Sequence, residues 1–130
     1  MGAALELSGN PSAVHTEGRK ARRLVEDARA EVAGAVGARP QDVVFSSGGT
    51  EANALALTPG LRRGASAPVT RLLVSAIEHA SVLAGGRFAP DAIKAINVTS
   101  SGVVDLDHLR ALLGDGPPAL VSVMMANNET

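Results

Sequence analysis

Short β-prone apolar runs alternate with helix-forming segments along the chain, and this alternation constrains the fold more than any other feature. Val43-Val44-Phe45, Leu72-Leu73-Val74, the stretch from Ala92 to Val98 and Leu120-Val121-Ser122-Val123-Met124 read as four strands. Strands interleaved with helices pack as α/β layers around a largely parallel sheet, with functional loops at the strand C-terminal ends. The last run is apolar enough to predict a strand buried on both faces. The chain has 130 residues, enough for one core that buries about two-thirds of the unfolded surface.

The intervening segments carry helix signals. Gly9-Asn10-Pro11-Ser12 is a turn in which Ser12 can cap a helix. Val14, Gly18, Ala21, Val25, Ala28, Val32 and Ala35 then recur at spacings of three and four and predict one buried face. Arg19, Lys20, Arg22, Arg23, Glu26, Asp27, Arg29 and Glu31 fall between them, with Arg22/Glu26 and Arg23/Asp27 as opposite charges one helical turn apart. Gly37 and Pro40 predict the stop. A short helix is expected from Ala80 to Ala84. Another follows Asp105 as cap, with Leu106, Leu109, Leu112 and Leu113 on its apolar face and Gly114 and Gly116-Pro117-Pro118 at its end.

Composition narrows the function classes. Hydrophobic residues make up 45% of the chain and charged residues 19%, with a formal net charge of -1, which fits a globular domain and argues against a polybasic nucleic-acid binder. There is no cysteine, so no disulfide, thiolate metal site or thiol nucleophile belongs to these residues. The three histidines lack the i, i+4 pairing of a zinc helix. No apolar run is long enough to span a membrane and the N-terminal residues lack a signal-peptide layout, so a cytoplasmic location is expected. Phe45 and Phe88 are the only aromatic rings besides histidine. Phe45, beside the glycine turn, is expected to be an important packing residue.

Three polar clusters follow three of the expected strands. In Ser47-Gly48-Gly49-Thr50, the glycines allow close backbone approach, the first-turn amides lack helical partners and the helix dipole favours an anion. The same residues also read as a tight turn with Thr50 as N-cap. The run matches neither the Walker loop nor the dinucleotide fingerprint, so a phosphate bound there need not belong to a nucleotide. Glu78-His79 closes the second strand, where His79 could meet a ligand or serve a structural hydrogen bond. Asn127-Asn128-Glu129 closes the last, as a set of polar ligand contacts or as an ordinary turn. Their shared position at strand ends would place them along one sheet edge.

Four segments in order carry a resemblance. Gly9-Asn10-Pro11-Ser12-Ala13-Val14-His15, Ser46-Ser47-Gly48-Gly49-Thr50-Glu51-Ala52-Asn53, Ala76-Ile77-Glu78-His79-Ala80-Ser81-Val82-Leu83 and Val121 to Thr130 resemble successive motifs of the cysteine desulfurases, class V aminotransferases of the fold type I pyridoxal-phosphate (PLP) enzymes. The resemblance spans nearly the whole chain. It implies that residues 1–130 form a single partial domain, the N-terminal half of the large PLP-binding domain. It further implies that Gly49 and Thr50 hold the PLP phosphate, that His79 stacks on the pyridine ring and takes part in proton transfer, and that Asn127 hydrogen-bonds the phenolic oxygen.

For the whole enzyme the resemblance implies L-cysteine as substrate, alanine as product, sulfur transfer to an enzyme thiol, a homodimer, and a sulfur-acceptor scaffold protein serving iron–sulfur cluster assembly or thiolation. No nucleic acid or membrane partner is implied. The family's Schiff-base lysine and sulfur-accepting cysteine belong to segments without a counterpart here: Lys20 and Lys94 are the only lysines and neither lies in such a motif. The expectation is that these residues alone are inactive. Another class V enzyme, a selenocysteine lyase or an aminotransferase, and a truncated phosphate-binding or interaction module are the alternative readings.

Overall fold

A computed structural model describes residues 9–114 and 116–127. The expectations placed on the N-terminal residues 1–8 and on Asn128, Glu129 and Thr130 lie outside the described residues. The chain divides between Phe45 and Ser46 into two compact units.

The first unit is built on helix α1, Thr16–Val36. The expected cap at Ser12 is replaced by His15, whose side chain accepts from the Gly18 amide at 3.3 Å. The reason is the preceding turn. Asn10 Oδ1 takes the Ser12 amide at 2.9 Å and Asn10 O takes the Ala13 amide at 2.9 Å, so the chain is still turning where a helix was expected. That turn lies directly against Gly18, where a Cβ would come within 2.4 Å of Ala13 O. Gly37 ends the helix as anticipated, at φ 67 with its amide returned to Ala33 and Gly34 carbonyls.

The apolar face expected of α1 is only partly buried. Gly18 and Ala21 are buried and Val25 is half-buried, but Ala33 takes the third buried position while Val14 is 87% exposed. The expected Arg22/Glu26 pairing is also replaced: Glu26 accepts from Arg29 Nε at 3.2 Å. Arg29 also donates to Val43 O and stands 5.0 Å from the Phe45 ring centroid, a cation–π contact. Val43-Val44-Phe45 is therefore not a strand. It follows a 3₁₀ turn, Pro40–Asp42, and an arginine rather than a neighbouring strand meets the Val43 carbonyl. Phe45 is 48% exposed, so the core ring of the chain is Phe88, at 7%.

The second unit holds a three-stranded parallel sheet: β1 Arg71–Ser75, β2 Ile93–Ile96 and β3 Ala119–Ser122, in spatial order β2-β1-β3. β1 is central, with Leu72 opposite Ile93 on one side and Leu120 on the other. Its residues Leu72, Leu73, Val74 and Ser75 are all buried, as a strand flanked on both sides and covered on both faces requires. β3 is not the fully buried strand expected, since it is an edge strand and Val121 is 38% exposed.

Helices α2 (Gly49–Ala56), α3 (Ala80–Leu83) and α4 (Leu106–Leu113) complete the unit. Leu57, Leu72, Val74, Val82 and Phe88 form the core cluster, with Val69, Ala92, Ile93 and Leu120 packed against it. Gly86, at φ +59, allows close packing there, since a Cβ would come within 2.4 Å of Leu57 O. α4 starts as expected at Asp105, whose carboxylate accepts from the Asp107 and His108 amides at 3.0 Å. Its last carbonyls are taken by Arg71, which donates to Leu112 O at 2.8 Å, Leu113 O at 3.2 Å and Pro117 O at 2.7 Å. One guanidinium thus anchors the helix end and the following loop to the start of β1.

Candidate functional site

The sheet order itself indicates where a ligand would bind. From β1 the chain passes to β2 on one side and then to β3 on the other, and in open α/β sheets such a switch point is where a ligand crevice is expected, here outside the C-terminal ends of β1 and β3. The two strand exits are tied together at that point. Glu78, 8% exposed, accepts the Met124 amide, and Asn127 Nδ2 donates to Ile77 O at 2.9 Å. His79 and Asn127 therefore follow the two strands whose C-terminal ends define the crevice.

His79 caps α3. Its Nδ1 accepts from the Ser81 amide at 3.1 Å and lies 2.8 Å from Ser81 Oγ. Ser81 Oγ in turn receives Asn53 Nδ2 at 2.8 Å. Asn53 lies on α2, one turn past Thr50, so this chain of bonds links the glycine-turn helix to the histidine. Asn53 and Ser81 belong to the quoted motifs but had no expected role. The spacing Thr50 to Asn53 was the available signal, because it places both on one side of a helix.

At the start of α2 the cap is Gly48, without a side-chain hydrogen bond, so Thr50 is not the N-cap. Thr50 is the second residue of the helix and is exposed. The helical ladder begins with the Ala52 amide on Gly48 O at 3.0 Å, so the amides of Gly49, Thr50 and Glu51 precede it. A Cβ on Gly48 or Gly49 would meet no atom within 4 Å, so the space beside these amides is open. Glu51 turns back and accepts the Ser47 amide at 2.6 Å. That amide, together with the Ser47 hydroxyl, holds the Glu51 carboxyl below its ordinary range. A groove lined by Thr16, Arg19, Lys20, Arg23, Leu24 and Asp27 runs along α1, and none of the candidate residues lines it.

Chemically, the second unit combines an open turn of backbone donors with a hydroxyl, an exposed imidazole, and a carboxamide oriented by a backbone carbonyl. Open backbone donors at a helix start suit an anionic group. The sequence pattern of the class-V aminotransferases matches residues 3–130, and the chain belongs to that family. Among its relatives, the cysteine desulfurase of Frankia sp. (strain EuIK1) is 45% identical over 96% of this chain and 32% of its own length. The IscS-like cysteine desulfurase of Mycobacterium tuberculosis is 39% identical over 99% of this chain and 35% of its own. The mitosomal cysteine desulfurase of Trachipleistophora hominis is 33% identical over 93% and 28%. The chain thus spans about a third of the length of the relatives it matches. The parallel sheet with flanking helices is the α/β architecture expected of the family. Among the described residues no helix is long and apolar enough to cross a membrane.

Proposed function

We propose that the chain carries part of the cofactor site of a PLP-dependent cysteine desulfurase, a protein that releases sulfur from L-cysteine. The observation that carries this reading is the tie between the β1 and β3 exits, made by Glu78 with the Met124 amide and by Asn127 with Ile77 O, because ligands of open parallel sheets bind outside such strand ends. Relatives named cysteine desulfurase, matched over almost all of this chain, support it.

In this reading the Gly49 and Thr50 amides and the Thr50 hydroxyl bind the phosphate, with the α2 dipole in support. The His79 ring stacks on the pyridine face and holds a proton for transfer. Asn127, oriented through Ile77 O, meets the phenolic oxygen. PLP, when bound, supplies an electron sink for bond cleavage at an amino acid. The chain holds no cysteine, and its two lysines lie on α1 (Lys20) and β2 (Lys94). These residues alone therefore bind and do not turn over substrate. The whole protein acts in the cytoplasm as a homodimer that hands sulfur to an acceptor protein.

Pyridoxamine 5'-phosphate tests the binding reading, because it has no aldehyde to react with surface lysines. Titration followed by amide chemical shifts should move Gly49 and Thr50, and Thr50→Val should weaken binding by about tenfold or more through loss of a charge-assisted hydrogen bond. No response at these two amides at millimolar ligand would rule the reading out. Alanine formed catalytically by the chain with PLP and L-cysteine would refute its inactivity.

A further inference from the structure

We propose that Asn53 and Ser81 are positioning residues that set neutral His79 as its Nε2–H tautomer, so that the ring presents a hydrogen-bond donor at the crevice.

The Ser81 backbone amide can only donate. Its 3.1 Å bond to His79 Nδ1 makes that nitrogen an acceptor, and a neutral imidazole with an accepting Nδ1 carries its proton on Nε2. The hydroxyl of Ser81 reinforces the same choice. Asn53 Nδ2 donates to Ser81 Oγ at 2.8 Å, which directs the single hydroxyl proton toward His79 Nδ1, also 2.8 Å away. Donation therefore runs in one direction, from the α2 amide through the hydroxyl to the imidazole. Two donors converge on Nδ1, and the other ring nitrogen, Nε2, is the protonated one.

The functional consequence rests on the cofactor reading. A neutral His79 of this tautomer donates a hydrogen bond from Nε2 and accepts none there. Because Asn53 rides on the helix that begins at Gly49, the orientation of the ring is tied to the helix that would hold the phosphate.

The test is long-range ¹H–¹⁵N correlation of the histidine rings in the 130-residue chain, at a pH where His79 is neutral and with no cofactor added. The wild-type chain should show the nitrogen shifts of the Nε2–H form at His79. Ser81→Ala leaves only the backbone donor and should raise the Nδ1–H to Nε2–H ratio about fivefold, the worth of one neutral hydrogen bond. Ser81→Thr should restore the wild-type ratio. Asn53→Asp supplies an acceptor, turns the Ser81 hydroxyl away from the ring and should also shift the ratio toward Nδ1–H. An Nδ1–H wild-type ring would overturn the proposal. So would unchanged ratios in both Ser81→Ala and Asn53→Asp with amide dispersion intact. If Asn53→Asp does not fold, the Ser81 pair decides alone. Because no cofactor is present, this result and the pyridoxamine phosphate titration succeed or fail separately.

Discussion

Histidine caps two helices of this chain, and the two caps are built on opposite terms. At α1, His15 Nδ1 faces the Gly18 amide at 3.3 Å and the Glu17 carboxylate at 3.2 Å. An unprotonated nitrogen satisfies the amide and a protonated one satisfies the carboxylate, so the contacts compete. At α3, His79 Nδ1 faces an amide and a hydroxyl that can both donate. The difference lies in the residue two positions on, glutamate in one case and serine in the other. The surroundings differ as well: His15 and Glu17 side chains are 59% and 61% exposed, whereas α3 sits on the core through Val82. A cap with one set of demands, standing on a packed core, can hold a ring in one state.

The largest effect should come from that core. Leu72→Ala should cost about 2–5 kcal/mol by denaturant unfolding, while Val14→Ala, ahead of the α1 cap, should stay within about 0.5 kcal/mol. Equal losses at the two positions would break the contrast. Ser81→Ala should follow at about 1–2 kcal/mol, because it removes two hydrogen bonds and strands the half-buried Asn53 amide. His15→Ala should cost less, about 0.5–1 kcal/mol, since a competing cap loses little when removed. A larger loss than at Ser81 would reverse the ranking.

The smallest effect is a pH response at Glu51, on α2. Glu51 reaches back to the Ser47 amide, and its folded pKa lies below its ordinary value. Its contribution is therefore present above the ordinary carboxylate range and is lost as pH falls through the lowered folded value. The Ser47 amide shift should titrate below the midpoint of an ordinary glutamate, and Glu51→Gln should abolish that titration. A midpoint at the ordinary value would show that the Ser47 bond does not hold the carboxylate.

The runs around Leu72, Ile93 and Leu120 were readable as strands because apolar, β-branched composition is a local property, and all three found partners in the sheet. Val43-Val44-Phe45 has the same composition and no sheet partner among the described residues, since pairing depends on what lies beside the run. The start of α1 departs from the pattern for a local reason: Asn10 takes the Ser12 amide, and periodicity does not reveal an Asx turn. Phe45 and Phe88 could not be ranked by scarcity alone. At the site, the positions of Glu78-His79 and Asn127 after strands followed from the β-prone runs. The bond from Asn53 to Ser81 did not, because it joins side chains from separate helices, and only the fold brings those together.

The central place of β1 also sets a timetable. Leu72 pairs with Ile93 and Leu120, both synthesised later, and Arg71 waits for carbonyls at Leu112, Leu113 and Pro117. During translation the most buried strand thus emerges before either of its sheet neighbours. Pairing on both sides of β1 must await β3, which slows folding and leaves Leu72, Leu73 and Val74 uncovered in the nascent chain until then.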